Sequence, residues 1–239
     1  MLKTERMDRV RAALRAQGLT QMIVCDPKSV WYLTGVAVEP YERLLALYLP
    51  TEGEPVLFLN RLFNVPEPPC RTVWHTDTDK PVAQIAEVVD AGRPLGIDKE
   101  WPAKFLIPLM ETHPGMQVVL SSDCVDDCRA CKDAEEQALM REASRINDAV
   151  NEAAKHYIKA GMTEREVAEF IDAQFRAHGC EGPSFTTIVS FGANAADPHH
   201  EPDDTVLKEG DCVLFDMGCV KSRYCSEMTR TWFCGQPTE

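Results

Sequence analysis

Two carboxylates near the end of the sequence are of a type and spacing that could serve a metal site. Asp216 interrupts an apolar run at 212–219, and Glu227 lies in a second run at 224–234 that is rich in Thr and aromatic residues. Both runs are typical of strands, and Lys221-Ser222-Arg223 is the predicted turn between them. On one continuous strand the two carboxylates would face opposite ways, but in a hairpin they can converge from neighbouring strands. The pair therefore indicates a hard or borderline divalent cation.

An ion pair is the alternative explanation for Asp216. A carboxylate inside an apolar run is costly unless a cation, a metal or several hydrogen-bond donors compensate its charge. Arg223 and Arg230 are close enough in the sequence to supply that cation. Spacing alone favours neither explanation.

His199 is the third residue that could carry chemistry. The segment 186–202 reads as a strand followed by a loop too long for a simple connector, and His199 follows Pro198 on that loop. Long loops often carry functional residues. A histidine in such a place is, by type alone, more often solvated or packed than catalytic.

The strings around these residues resemble a known family. Leu207-Lys-Glu-Gly-Asp211, the following Val-Leu-Phe-Asp-Met-Gly, and Tyr224-Cys-Ser-Glu-Met-Thr-Arg-Thr231 resemble the pita-bread metallopeptidases, which include Xaa-Pro dipeptidase (prolidase), aminopeptidase P and creatinase. The resemblance implies that Asp216 is a metal ligand and that Glu227 bridges two divalent ions, which could be Mn, Co, Zn or Fe. The family usually has Asp at the second position, so Glu227 adds one methylene. The Gly-x-Asn and Pro-His strings imply that His199 hydrogen-bonds the substrate and assists proton transfer; His200 receives no assignment.

The resemblance also implies an activity. The expected reaction is metal-dependent hydrolysis of Xaa-Pro peptide bonds, of the dipeptidase or aminopeptidase P type, on a small proline-containing peptide and in a homodimer. Two alternatives remain: a metal-free, creatinase-like amidinohydrolase, and a non-catalytic fragment or pseudoenzyme that acts by binding. The family's other ligands, a His and two Glu, lie beyond the part that matches this sequence. We therefore expect an incomplete ligand set, no tightly held metal and no dipeptide cleavage in the 239-residue polypeptide.

The pattern of elements predicts two domains. Residues 1–131 alternate short apolar runs with helical stretches, which predicts an α/β domain with a mixed sheet, similar to the creatinase/prolidase N-terminal domain. Residues 132–239 open with two amphipathic helices, about 133–160 and 163–179, each with a capping-box signature. They predict the first half of an α+β pita-bread domain, with the helices packed on an antiparallel sheet.

Composition limits the classes of partner. The formal charge of −13 argues against nucleic acid, since phosphate binding needs a basic surface. No stretch has the character of a signal peptide or a membrane span, so we expect a cytoplasmic protein without a membrane partner. The ten cysteines are scattered and are expected to be reduced. Cys124, Cys128 and Cys131 lack a fourth zinc ligand nearby, and we interpret them as ordinary thiols.

Overall fold

A computed structural model of the chain describes residues 2–237. The chain divides into two compact units, one ending at Cys131 and the other beginning at Lys132. Among residues 2–237, no helix is both long enough and apolar enough to span a membrane.

The first unit is built on one mixed six-stranded sheet. Its helices are α1 (Thr4–Ala16), α2 (Pro27–Thr34), α3 (Pro81–Ala86), α4 (Ala103–Thr112) and α5 (Asp123–Ala130). Its strands are β1 (Gln21–Val24), β2 (Ala46–Pro50), β3 (Val56–Asn60), β4 (Arg71–His75), β5 (Leu95–Ile97) and β6 (Val118–Leu120). The strand order is β4-β3-β2-β1-β5-β6, with β2 antiparallel to both neighbours and the other pairs parallel.

Both faces of this sheet are covered by apolar side chains. Alternate residues of the central strands enter two separate clusters: Val24, Leu47 and Leu57 belong to one, and Ile23 and Phe58 to the other. All five residues of β3 are buried. A strand covered on both faces reads as a continuous apolar run, which is what the sequence shows in these segments.

The second unit has two long helices and two small antiparallel sheets. The helices are α6 (Ala134–Tyr157) and α7 (Glu164–Ala177), followed by a short 3₁₀ helix at Gly192–Ala196. The strands are β7 (Gly182–Pro183), β8 (Ile188–Phe191), β9 (Cys212–Met217), β10 (Cys219–Lys221), β11 (Tyr224–Cys225) and β12 (Met228–Phe233). One sheet has the order β12-β9-β8 and the other β11-β10-β7. The predicted fold class, an α/β unit followed by two helices on antiparallel sheet, is confirmed.

The two long helices begin at the predicted capping boxes. The Asp133 side chain accepts a hydrogen bond from the N–H of Glu136, whose carboxylate accepts one from the N–H of Asp133 in return. Thr163 and Glu166 form the same reciprocal pair in front of α7. Each box satisfies two N–H groups that the first helical turn leaves without partners.

α6 ends three residues before the predicted position. The sequence predicted a helix to about Ala160, but the backbone turns to extended geometry at Ile158, with φ −62° and ψ 138°. The reason is a competing set of bonds: the N–H of Gly161 donates to the carbonyl of Leu207, and the N–H of Leu207 donates to the carbonyl of Met162. The sequence also predicts a helix over 81–91, and α3 covers only Pro81–Ala86 of that range.

The predicted hairpin is bent and shared between two sheets. Its turn is where the sequence predicted it, with Ser222 and Arg223 at positive φ. β9 gives way to β10 at Gly218, and the backbone of Ser226 approaches this residue so closely that a Cβ here would clash with the Ser226 carbonyl oxygen. β9 and β12 therefore pair in one sheet, and β10 and β11 in the other.

Candidate active site

Asp216 lies on the half-open face of β9. Burial alternates along this strand, and its odd-numbered residues pack into the core with Val189 and Phe191. The even-numbered residues, which include Leu214 and Asp216, are only half-buried. From α6, the fully buried amide of Asn147 donates to the carbonyl of Met217 at 3.0 Å and anchors this end of the strand.

The partners of Asp216 are few. Thr229, directly opposite on β12, donates its hydroxyl to the carboxylate at 3.0 Å. Within residues 2–237, no ion pair reaches Asp216. Arg230 lies opposite Phe215, so its side chain leaves the other face of the sheet, and it donates to the carbonyl of Thr229. The ion-pair explanation therefore has no support, and a neutral hydroxyl is what compensates this carboxylate.

Glu227 is exposed and lies one residue before β12 begins. A one-residue extension of the β12 pattern would place Glu227, two residues before Thr229, on the face that carries Asp216. The same face of β8 carries Ser190, which is opposite Leu214 and whose buried hydroxyl has no hydrogen-bond partner among the described residues. This part of the sheet thus carries oxygen atoms that can ligate a cation, and carboxylate oxygens are the ligands that hard divalent ions prefer.

His199 is exposed on the loop that follows β8. Its backbone N–H donates to the Asp197 carboxylate at 2.9 Å, and that bond fixes the turn before it. His200, beside it, is the more enclosed of the two, with 14% of its side chain exposed. Neither its residue type nor the resemblance assigned a role to His200.

A buried carboxylate holds this loop. Glu164, the first residue of α7, is fully buried and accepts four N–H donors. One oxygen accepts from the N–H of Phe191 at 2.7 Å and from the Asn194 amide at 3.0 Å. The other accepts from His200 Nε2 at 2.6 Å and from the N–H of Asp203 at 3.2 Å.

Sequence reasoning missed this group. Glu164 stands in a first helical turn, where acidic residues are common because they complement the helix dipole, so its type gave no signal of burial. Its partners are 27 to 39 residues further along the chain. The one available signal was the Gly-x-Asn string, which includes Asn194.

One group of side chains among the described residues is close enough together to share a metal ion. It consists of Glu164, His200 and Asp203, whose potential ligand atoms lie within 4.8 Å of one another. Their bonding fits a hydrogen-bond network better. The 2.6 Å between Nε2 and Oε2 is shorter than the separation of about 3 Å or more between neighbouring ligands of a metal at ordinary bond lengths. Hydrogen bonds from Thr205 also lower the pKa of Asp203, whose carboxylate is thus engaged within its own turn.

Comparisons with known proteins agree with the two units. The Creatinase/Prolidase N-terminal domain matches residues 6–131, and Metallopeptidase family M24 matches residues 138–239. An uncharacterized peptidase of Staphylococcus epidermidis is 30% identical over 234 residues, which cover 96% of this chain and 66% of that protein.

Two solved structures have the same fold. Dipeptidase PepE from Mycobacterium ulcerans is 30% identical with a TM-score of 0.89, and the match covers 98% of this chain and 65% of that one. A prolidase from Thermococcus sibiricus is 29% identical with a TM-score of 0.89, and the match covers 100% of this chain and 67% of that one. The chain thus spans about two thirds of the length of the relatives it matches. It belongs to the creatinase/prolidase group of metallopeptidase family M24.

Proposed function

We propose that this chain carries the N-terminal domain and the first part of the catalytic domain of a metal-dependent peptidase that hydrolyses Xaa-Pro bonds. The observation that carries the proposal is the state of Asp216: a half-buried carboxylate in the middle strand of its sheet, which has one neutral hydroxyl donor and no cation among residues 2–237. The solved relatives include proteins named dipeptidase and prolidase, which supports a small peptide as substrate.

Asp216 and Glu227 are the residues proposed to hold two divalent ions. Their oxygen ligands fit Mn, Co, Zn or Fe, and the exposed position of Glu227 leaves room for its extra methylene. Bound metal of this kind lowers the pKa of a coordinated water and polarises a carbonyl group. Two carboxylates supply only part of a dinuclear ligand shell.

His199 is proposed to act on the substrate itself. Its exposed imidazole can donate a hydrogen bond to the substrate carbonyl oxygen, which would stabilise the charge that develops there as water adds to the carbonyl carbon. The same group can transfer a proton to the leaving amine, and a histidine does so well near neutral pH.

Homodimer formation and a cytoplasmic location are further proposals. The homodimer follows from the family resemblance alone. All ten cysteines are unpaired, which suits a reducing compartment. Light scattering on the purified protein would test the dimer.

The test of the function uses the purified protein at its natural length. Xaa-Pro dipeptide hydrolysis is measured with Mn²⁺ or Co²⁺, after chelation, and in Asp216→Asn and Glu227→Gln. Asp148→Asn is the control, since Asp148 is exposed on α6 and its side chain makes no hydrogen bond or ion pair in the described structure. We expect the parent protein and the control variant to turn over the dipeptide. Chelation and each of the two site variants should abolish turnover. Turnover unaffected by chelation would contradict the proposal.

A creatinase-like amidinohydrolase is the second candidate. The observation that favours it is that Glu227 is exposed, lies outside the regular strand and stands where the family has the shorter Asp. Hydrolysis of a guanidino compound that survives chelation would select this candidate.

A further inference from the structure

Glu164 is a buried acid whose side chain serves a loop rather than its own helix. The N-terminus of α7 is capped by Thr163 and Glu166, so Glu164 is not needed for the cap. A carboxylate is almost never fully buried unless it is paired. Its two oxygens accept four N–H donors, the full capacity of a carboxylate, and every donor belongs to the segment 191–203.

The bonding around His200 defines which of its nitrogens carries a proton. The Asn194 amide nitrogen already donates to Glu164 at 3.0 Å and to the Thr205 hydroxyl at 3.1 Å, which uses both of its hydrogens. Its 3.2 Å contact with His200 Nε2 is therefore not a hydrogen bond; the two nitrogens are neighbouring donors to the Glu164 carboxylate. Nε2 carries its proton toward Glu164, and the bond of 2.6 Å is of the short, charge-assisted kind.

These bonds hold the backbone on both sides of His199. Asn194 is attached to Glu164 on one side, and His200 and Asp203 are attached on the other. Between them, the N–H of Asp197 donates to the carbonyl of Asn194, and the N–H of His200 donates to the carbonyl of Asp197. The His199 side chain stays exposed while its backbone is tied at both ends.

We propose that Glu164 is a positioning residue for the histidine loop, residues 192–205: it fixes the backbone of His199 and holds His200 with its proton on Nε2. This inference rests on the proposed role of His199, but its direct test requires neither metal nor turnover.

The first variant is Glu164→Gln. An amide has one oxygen, so in either orientation its NH₂ group faces two of the four donors, and two of the four bonds are lost. The matched control is Glu169→Gln, which removes the same charge from an exposed position on the same helix.

Hydrogen exchange of the 239-residue polypeptide measures the loop directly. We expect the N–H groups of Phe191 and Asp203, and the loop between them, to exchange at least about tenfold faster in Glu164→Gln, while α6 and β9 are unchanged; a tenfold change corresponds to about 1.4 kcal/mol. Glu169→Gln should match the parent protein. Unchanged loop exchange in a folded Glu164→Gln variant would overturn the proposal.

A spectroscopic measurement separates positioning from general stability. In ¹⁵N-labelled protein, His200 should show a slowly exchanging, downfield-shifted Nε2–H signal that Glu169→Gln retains and Glu164→Gln loses. A His200 ring protonated on Nδ1 alone in the parent protein would overturn the assignment.

If Glu164→Gln does not fold, His200→Ala and Asn194→Ala keep the carboxylate and remove one donor each. Both should fold and raise exchange within the loop more than in α6 and β9; unchanged loop exchange in both variants would overturn the proposal. In a form that turns over Xaa-Pro dipeptide, His200→Ala should lower kcat with little change in KM. If no form hydrolyses these dipeptides, the proposed function fails, and the exchange and tautomer results still decide the role of Glu164 in the loop.

Discussion

The sheets of the two units differ in how their central strands are covered. β3 is buried along its whole length, with alternate residues in two cores. β9 is buried on alternate residues only, and its other face carries Asp216. A strand covered on both faces can specify only packing, whereas a strand covered on one face can present a carboxylate at tolerable cost. The half-buried face of β9, which carries Asp216, is therefore where the candidate chemistry lies.

The difference predicts the largest effects for core truncations. In β3, neighbouring residues Leu57 and Phe58 are both fully buried, so Leu57→Ala and Phe58→Ala should each lower the free energy of unfolding by about 2 to 5 kcal/mol. In β9, Phe215→Ala should cost about 3 to 5 kcal/mol, since Phe215 is fully buried and packs edge-on against Trp232. Its neighbour Leu214 is half-buried, and Leu214→Ala should cost about 1 kcal/mol or less.

Denaturant titration followed by hydrogen exchange would resolve the two units in these variants. Equal costs for Phe215→Ala and Leu214→Ala would mean that both faces of β9 are covered in solution, which would contradict the comparison.

A second prediction concerns His199, whose exposed imidazole has no counterpart in the tightly packed sheet of the first unit. In a form that hydrolyses Xaa-Pro dipeptides, His199→Ala should lower kcat by about a hundredfold or more, because a proton-transfer group contributes this much. Metal content should stay the same. His156→Ala is the control, since that side chain is 75% exposed on α6. Undiminished turnover in His199→Ala would remove the residue from the site.

A third prediction uses a buried histidine of the first unit. His75 is buried at the end of β4, where its Nε2–H donates to the Leu44 carbonyl at 3.1 Å and Nδ1 accepts from the Asn60 amide. Burial lowers its pKa below the ordinary 6.5, because the charged form is desolvated. Protonation of Nδ1 would also place its N–H against the N–H of the Asn60 amide, so that two donors would face each other.

The direction of the pH dependence of stability follows from proton binding. Below pH 6.5 the unfolded chain binds a proton that the folded unit does not, so stability is fully present above pH 6.5 and falls as the pH drops. The slope should reach at most about 1.4 kcal/mol per pH unit. His75→Gln should flatten it, whereas His178→Gln, at an exposed position in the second unit, should not. A first unit equally stable from pH 7 to pH 5 would contradict the assignment.

Local chemistry explains what the sequence could predict. The boxes at Asp133 and Thr163 each use groups three residues apart, so both helix starts are where they were predicted. The turn at Ser222 and Arg223 is equally local. The hairpin divides between two sheets at Gly218, which lies close to Ser226 across the hairpin, and periodicity does not encode such a contact.

The site shows the same limit. Asp216 and Glu227 are proposed as ligands because the resemblance assigns them, whereas spacing alone favoured neither a metal nor an ion pair. The role of Glu164 depends on partners that only the folded chain brings together, up to 39 residues away. The end of α6 at Tyr157 was missed for the same reason, because the competing bonds come from Leu207.

Manganese titration of the 239-residue polypeptide, followed by electron paramagnetic resonance, tests the central claim that Asp216 and Glu227 are the metal ligands of this chain. We predict weak binding, with Kd of about 10⁻⁴ to 10⁻³ M as for sites with few fixed carboxylates, which Asp216→Asn and Glu227→Gln abolish and Asp148→Asn retains. His200→Ala should leave it unchanged. Tight stoichiometric metal that survives Asp216→Asn, or binding that disappears in His200→Ala instead, would contradict the account and transfer the metal to the site of Glu164, His200 and Asp203.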